Sequence, residues 1–180
     1  MAIGRARGPL RGLAETVWVR LAVVAVFAVA MAYLEAAVVV YLRAVFHVTG
    51  DLLTVPPASS VWFSVPYFTL LKPGALLSVL PQPAIANTEV GREAATMIML
   101  ACVGWLAGSD LKARFAYFIF AFGVWDIGYY AFLHGLLGWP ASLGAMDVLF
   151  LIPGPWLAPV FVPVAISVAM IVGAWWLLRG

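Results

Sequence analysis

From Val148 to Leu178 the chain runs 31 residues without a charged side chain. A straight helix crosses the apolar core of a bilayer in about 20 residues, so this run exceeds what one span needs. Leu21 to Leu42 is a second run, 22 residues long, interrupted only by Glu35 and bracketed by Arg20 and Arg43. Ala94 to Ser109 is charge-free, and Phe115 to Leu137 contains Asp126 and His134 in an aromatic-rich stretch. Of all residues 65% are apolar and 10% charged, against about 25% charged in an ordinary soluble domain. So few charges cannot dress a water-facing surface, which excludes a soluble enzyme, a nucleic-acid binder and a disordered tail.

The expectation is therefore an all-α integral membrane protein, one transmembrane domain over residues 1–180. Four spans are expected, at about 20–43, 92–110, 115–137 and 160–178. Asn87 or Thr88 is expected to cap the second helix. Leu52 to Thr88 carries six prolines, Pro56, Pro57, Pro66, Pro73, Pro81 and Pro83. Proline removes a backbone donor, and unpaired backbone cannot face lipid. Residues 52–88, and Pro-rich 147–159, are thus expected to be broken re-entrant or interfacial elements on the outer side. A competing reading takes Arg5, Arg7 and Arg11 as the basic start of a signal peptide, with Ala30-Met31-Ala32 as its cleavage site. The single cysteine, Cys102, allows no intrachain disulfide.

Basic residues set the orientation. With the N-terminus inside, Arg5, Arg7, Arg11, Arg20, Lys112, Arg114 and Arg179 are cytoplasmic, and Arg43, Lys72 and Arg92 are outside. Both termini are then cytoplasmic in a cell inner membrane.

A rise of about 1.5 Å per residue places the remaining charges in depth. Counted from the inner boundary, Glu35 lies about 22 Å up, Asp126 about 18 Å and Glu93 about 25 Å. His134, Arg43 and Glu89 lie near the outer interface, and Asp147 enters from above. Helical spacing aligns them as well: Glu35 with Arg43, Asp126 with Tyr130 and His134, and Glu89 with Glu93. A charge at mid-bilayer is costly, so such residues face the bundle and find partners.

Five readings of this zone compete. A metal site would draw on Glu35, Glu93, Asp126, His134 and Asp147, but there is no Glu-x-x-His pair and two arginines would compete for the carboxylates. Haem ligation would use His134 with His47. Membrane-embedded catalysis would use Glu35, Glu93, Asp126, Tyr130 and His134 for proton chemistry. In it Arg43, Arg92, Tyr129, Asp147 and Trp125 would hold a lipid-like substrate with a polar or anionic head. A small transporter is the fourth reading. The fifth is a non-catalytic subunit of a homo-oligomer or larger membrane complex, in which the same charges are interhelical pairs, Arg43 with Glu89 among them. Gly104 and Gly108 have the spacing that allows close helix approach. The best expectation is an enzyme or binding protein for a lipid-like molecule; no cofactor follows.

The strings YLEAAVVVYLR (Tyr33–Arg43), REAATMIML (Arg92–Leu100), WDIGYY (Trp125–Tyr130) and DVLFLIPGPW (Asp147–Trp156) resemble those of small, uncharacterised polytopic proteins of the bacterial inner membrane. That resemblance implies a bacterial membrane location and no activity.

Overall fold

A computed structural model describes residues 17–46, 57–79 and 82–179. Four helices in it are long and apolar enough to cross a membrane. They are α1 (Val17–Phe46), α3 (Pro83–Ala107), α4 (Leu111–Leu137) and α5 (Phe161–Arg179), with a short α2 (Leu76–Val79) before α3. The chain is a multi-pass membrane bundle. Its helices carry large apolar residues on their outer faces too, such as Val26, Leu34, Leu106 and Trp176, as lipid-facing helices require.

The expectation of an all-α fold is corrected by a four-stranded antiparallel sheet at one end of the bundle. Its strands are β1 (Val61–Val65), β2 (Phe68–Leu71), β3 (Met146–Val148) and β4 (Trp156–Pro159). The order is β1-β2-β4-β3, so each long connection supplies one hairpin. The two hairpins join through Thr69 opposite Leu157 and Leu70 opposite Trp156. The proline-rich segments thus form strands, and not broken helices, at Val61–Val65, Phe68–Leu71, Met146–Val148 and Trp156–Pro159. Their runs of Val, Trp, Phe and Leu favour extended backbone, and their prolines stand mainly at turns and strand ends. Pairing between the hairpins satisfies backbone that a broken helix would leave open.

Helix α3 starts nine residues before the expected boundary of Arg92. Pro83 occupies its first turn, where a missing N–H costs nothing, and Gln82 stands at the N-cap without a side-chain bond. Neither Asn87 nor Thr88 caps it; the Thr88 hydroxyl donates to Ala84 O at 2.9 Å inside the helix. This extension moves Glu89, Arg92 and Glu93 from a helix terminus into a helix interior.

At the other end α3 stops at Gly108, and Asp110 caps α4 by accepting the Ala113 N–H at 3.0 Å. That bond holds the Asp110 carboxyl below its ordinary range. Helix α4 closes at Gly138, whose left-handed φ of 67° suits glycine.

Helix α4 is the centre of the bundle, and α1, α3 and α5 pack around it. Small residues make the approach close: Ala28, Ala32 and Ala36 of α1 and Ala116 and Ala121 of α4 are fully buried. A Cβ on Gly123 would lie 2.6 Å from Ser167 O, so α5 can reach α4 only where this side chain is absent. Ala30-Met31-Ala32 lies in the middle of α1, with Met31 and Ala32 buried. Trp–Arg pairs mark both ends of the bundle: Arg179 over Trp175 at 3.9 Å, Arg114 over Trp105 at 3.7 Å, and Arg43 over Trp139 at 4.7 Å.

Candidate functional site

Most buried and half-buried polar residues of the helices gather toward the sheet end of the bundle and, with Asp147 of β3, divide into three linked groups. The first joins α1 to α3. Glu35, buried on α1, forms an ion pair with Arg92 and accepts the Thr96 hydroxyl. Arg92 also holds Glu89, with Nε at 2.9 Å and Nη2 at 2.8 Å from Oε2. Glu89 therefore pairs with Arg92 one turn along its own helix, which corrects the expected pairing with Arg43. The reason is the early start of α3: Glu89, Arg92 and Thr96 recur every three or four positions and share one helix face.

The second group joins α4 to the sheet and α5. Asp126 and Tyr130 are one turn apart on the buried face of α4. Tyr130 donates to Asp147 Oδ2 of β3 at 2.8 Å, and Ser167 of α5 donates to Asp126 Oδ2 at 2.8 Å. Tyr129 lies within electrostatic reach of Asp147, Arg92, Asp126 and Arg43, and so connects the two groups. Arg43, on the face of Trp139, is close enough to Asp147 to favour its charged form. Burial outweighs that help and pushes the Asp147 carboxyl up to about 6.

The third group is a tether. Glu93 Oε2 accepts the backbone N–H of Leu151 at 2.7 Å, tying α3 to the β3–β4 connection. Trp125 stacks on Tyr129 with ring centroids 6.4 Å apart, and its indole N–H has no hydrogen-bond partner among the described residues.

Nine of the expected site residues thus belong to this region: Glu35, Arg43, Arg92, Glu93, Trp125, Asp126, Tyr129, Tyr130 and Asp147. The tenth, His134, is exposed near the end of α4, with Nδ1 3.0 Å from Pro140 O. His47, the other histidine of the haem reading, lies outside the described residues, as do Arg5, Arg7 and Arg11. Among the described residues no three His, Cys, Asp or Glu side chains come together as metal ligands. Glu35 is turned to Arg92 and Thr96, and Glu93 to the Leu151 amide.

Two contributors were not anticipated from the sequence, Thr96 and Ser167. Thr96 lies four positions after Arg92, on the face that carries Glu89. Ser167 is the sole hydroxyl residue of α5. The available signal was isolation in an apolar span for Ser167, and a place one turn after Arg92 for Thr96.

Chemically the site offers five carboxyl groups (Glu35, Glu89, Glu93, Asp126, Asp147) beside two guanidinium groups (Arg43, Arg92). Two carboxyls are fixed by arginine, one by backbone, and two by hydroxyl groups. Hydroxyl–carboxyl pairs can pass a proton in either direction. Comparison with known proteins gives no significant match to any family model, curated protein or solved structure.

Proposed function

We propose that this chain binds, and acts by acid–base chemistry on, a lipid-like molecule whose polar head enters the sheet-end cluster. The observation that carries the reading is the pair of hydroxyl–carboxyl contacts, Tyr130–Asp147 and Ser167–Asp126, each at 2.8 Å and each joining two elements beneath the sheet. Among the described residues no arginine forms an ion pair with these carboxyls, so they are the groups able to exchange a proton with a bound head. Arg92 holds Glu35 and Glu89 in place. Arg43 is the guanidinium that lies near the Asp147 pair and meets a polar or anionic head. The apolar part of the ligand lies among the aromatic residues and lipid-facing helix surfaces, and reaches the site sideways from the bilayer.

The membrane in this reading is the bacterial inner membrane, with the sheet outside. Among the described residues Arg20, Lys112, Arg114 and Arg179 stand at the end opposite the sheet, and the positive end is the cytoplasmic one.

A second reading is favoured by a different observation. Arg92 is saturated by Glu35 and Glu89, and Glu93 by a backbone amide. Such contacts suit a structural subunit of a larger complex, in which the charges fix helix register. The transporter, metal and haem readings have no comparable observation.

Asp126→Asn and Tyr130→Phe separate the first two readings. The purified variants are tested for folded yield in detergent and for co-purifying small molecules by mass spectrometry of an organic extract. The site reading predicts intact fold with loss of a molecule retained by the wild type. Loss of fold in both variants, or an unchanged extract, would favour the structural subunit.

A further inference from the structure

A second feature lies at the end of the bundle away from the sheet and is independent of the cluster. Helices α1 and α3 both pack on α4 but scarcely on each other. Between them a cavity of about 600 Å³ opens, lined by Val23 and Phe27 of α1 and by Val103, Leu106 and Ala107 of α3. That volume is in the range of small-molecule sites, about 300–1,000 Å³. From Val19 to Phe27 the groove follows α1 for about 12 Å. Its walls are apolar, and Val23 and Leu106 remain 63% and 84% exposed, so the groove is open on the side that faces lipid.

Arg20 stands at the boundary end of this groove, half-buried, with Nη1 donating to Ala107 O across the gap at 3.1 Å. The guanidinium is thereby held at the mouth of an apolar slot. Around it the described residues of this end carry Lys112, Arg114 and Arg179 against one acid, Asp110. Arg114 is directed elsewhere, stacked on Trp105 at 3.7 Å. A cation fixed where an apolar groove meets the headgroup layer complements an acyl chain that ends in an anionic head.

We propose that the α1–α3 groove is a binding site for one anionic phospholipid of the adjoining leaflet, with an acyl chain between α1 and α3 and the phosphate on Arg20.

The test uses the full chain in mixed phosphatidylglycerol and phosphatidylethanolamine of matched acyl chains, read by native mass spectrometry. Wild type is expected to retain one phosphatidylglycerol in preference to phosphatidylethanolamine. Arg20→Gln should lower that preference about fivefold, the loss of one basic contact of about 1 kcal/mol. Val103→Phe, which fills the groove and keeps the charge, should lower retention of both lipids. Lys112→Gln, an exposed cation outside the groove, should leave the preference unchanged. If Arg20→Gln does not fold, melting of delipidated wild type decides: phosphatidylglycerol should raise its midpoint more than phosphatidylethanolamine. Equal retention or equal stabilisation by the two lipids overturns the proposal. So does an equal loss in Lys112→Gln, which would mean general surface attraction. Retention seen only after removal of residues 2–15 also overturns it, because the chain's own leading segment would then occupy the groove.

Discussion

Glu35 and Thr96 come from helices α1 and α3, which otherwise meet through the Arg20–Ala107 bond and few other contacts. Their hydrogen bond and the Arg92 ion pair carry most of the polar connection between the two. A hydrogen bond to a charged group contributes about 1.5–3 kcal/mol, and a buried partner left unsatisfied costs a similar amount. Thr96→Val should therefore lower unfolding stability in detergent by about 1–3 kcal/mol, and Thr96→Ser should restore most of it. Thermal melting of the three proteins checks this, and an unchanged melt in Thr96→Val would contradict it.

Asp147 gives a pH dependence of definite sign. Its carboxyl is raised by burial to about 6 in the folded chain, against about 3.9 when unfolded. The neutral form is thus favoured by folding. Its contribution is fully present below about pH 4 and lost as pH rises through about 6. Tyr130, Tyr129, Arg43 and Asp126 are the titratable and charged groups that face it among the described residues. Melting temperature measured from pH 4 to 8 should fall more steeply in wild type than in Asp147→Asn. Parallel curves would contradict the assignment.

Residues such as Glu35, Arg92 and Asp126 were legible in the sequence because a charge in an apolar run has few places to go. Thr96 and Ser167 were not, since a hydroxyl in a span is common and carries no penalty that marks its partner. His134 shares a helical stripe with Asp126 and Tyr130, yet it sits where α4 ends and the chain turns away. Spacing shows which face a residue is on, but not how far the neighbouring helix extends beside it.

Among the elements, α4 shows how small residues decide packing. Gly123 stands where α5 approaches, and its added Cβ would press on the Ser167 backbone at 2.6 Å. Gly135, in the same helix, has open space around it. Gly123→Ala should destabilise the bundle by about 1–3 kcal/mol through overpacking. Gly135→Ala should be neutral or stabilising by up to about 1 kcal/mol, the helix-propensity difference. Detergent melts of the two variants test this, and equal effects would contradict it. The Gly104–Gly108 pair faces the start of α4 in the same way, with Arg114 and Phe118 against it.

The strands were the least legible elements. Each is three to five residues long, and β2 pairs with a strand about ninety positions later. Local composition signalled that helices break in these segments, through their prolines. It held no record of a partner so distant. The start of α3 was missed for the opposite reason: Pro83 reads as a breaker but is well placed as a first helical residue.

For the whole molecule, an even number of spans puts Val17 and Arg179 at one end and the sheet at the other. If the sheet is outside, a cysteine at Ser64 in a Cys102→Ala background should react with an impermeant maleimide on intact cells. A cysteine at Lys112 should react only after permeabilisation. The reverse pattern would invert the orientation. The four helices long and apolar enough to cross a membrane were readable from hydropathy alone, because each is a long run of apolar residues. The convergence of four helices and the sheet on one polar cluster depends on tertiary packing.

The most direct test of that cluster as a ligand site is an experimental density map of the protein in a lipid nanodisc. Elongated non-protein density is expected, with its polar end within hydrogen-bond reach of Tyr130, Asp147 or Asp126. A map of comparable quality with no non-protein density within reach of these three groups would contradict it.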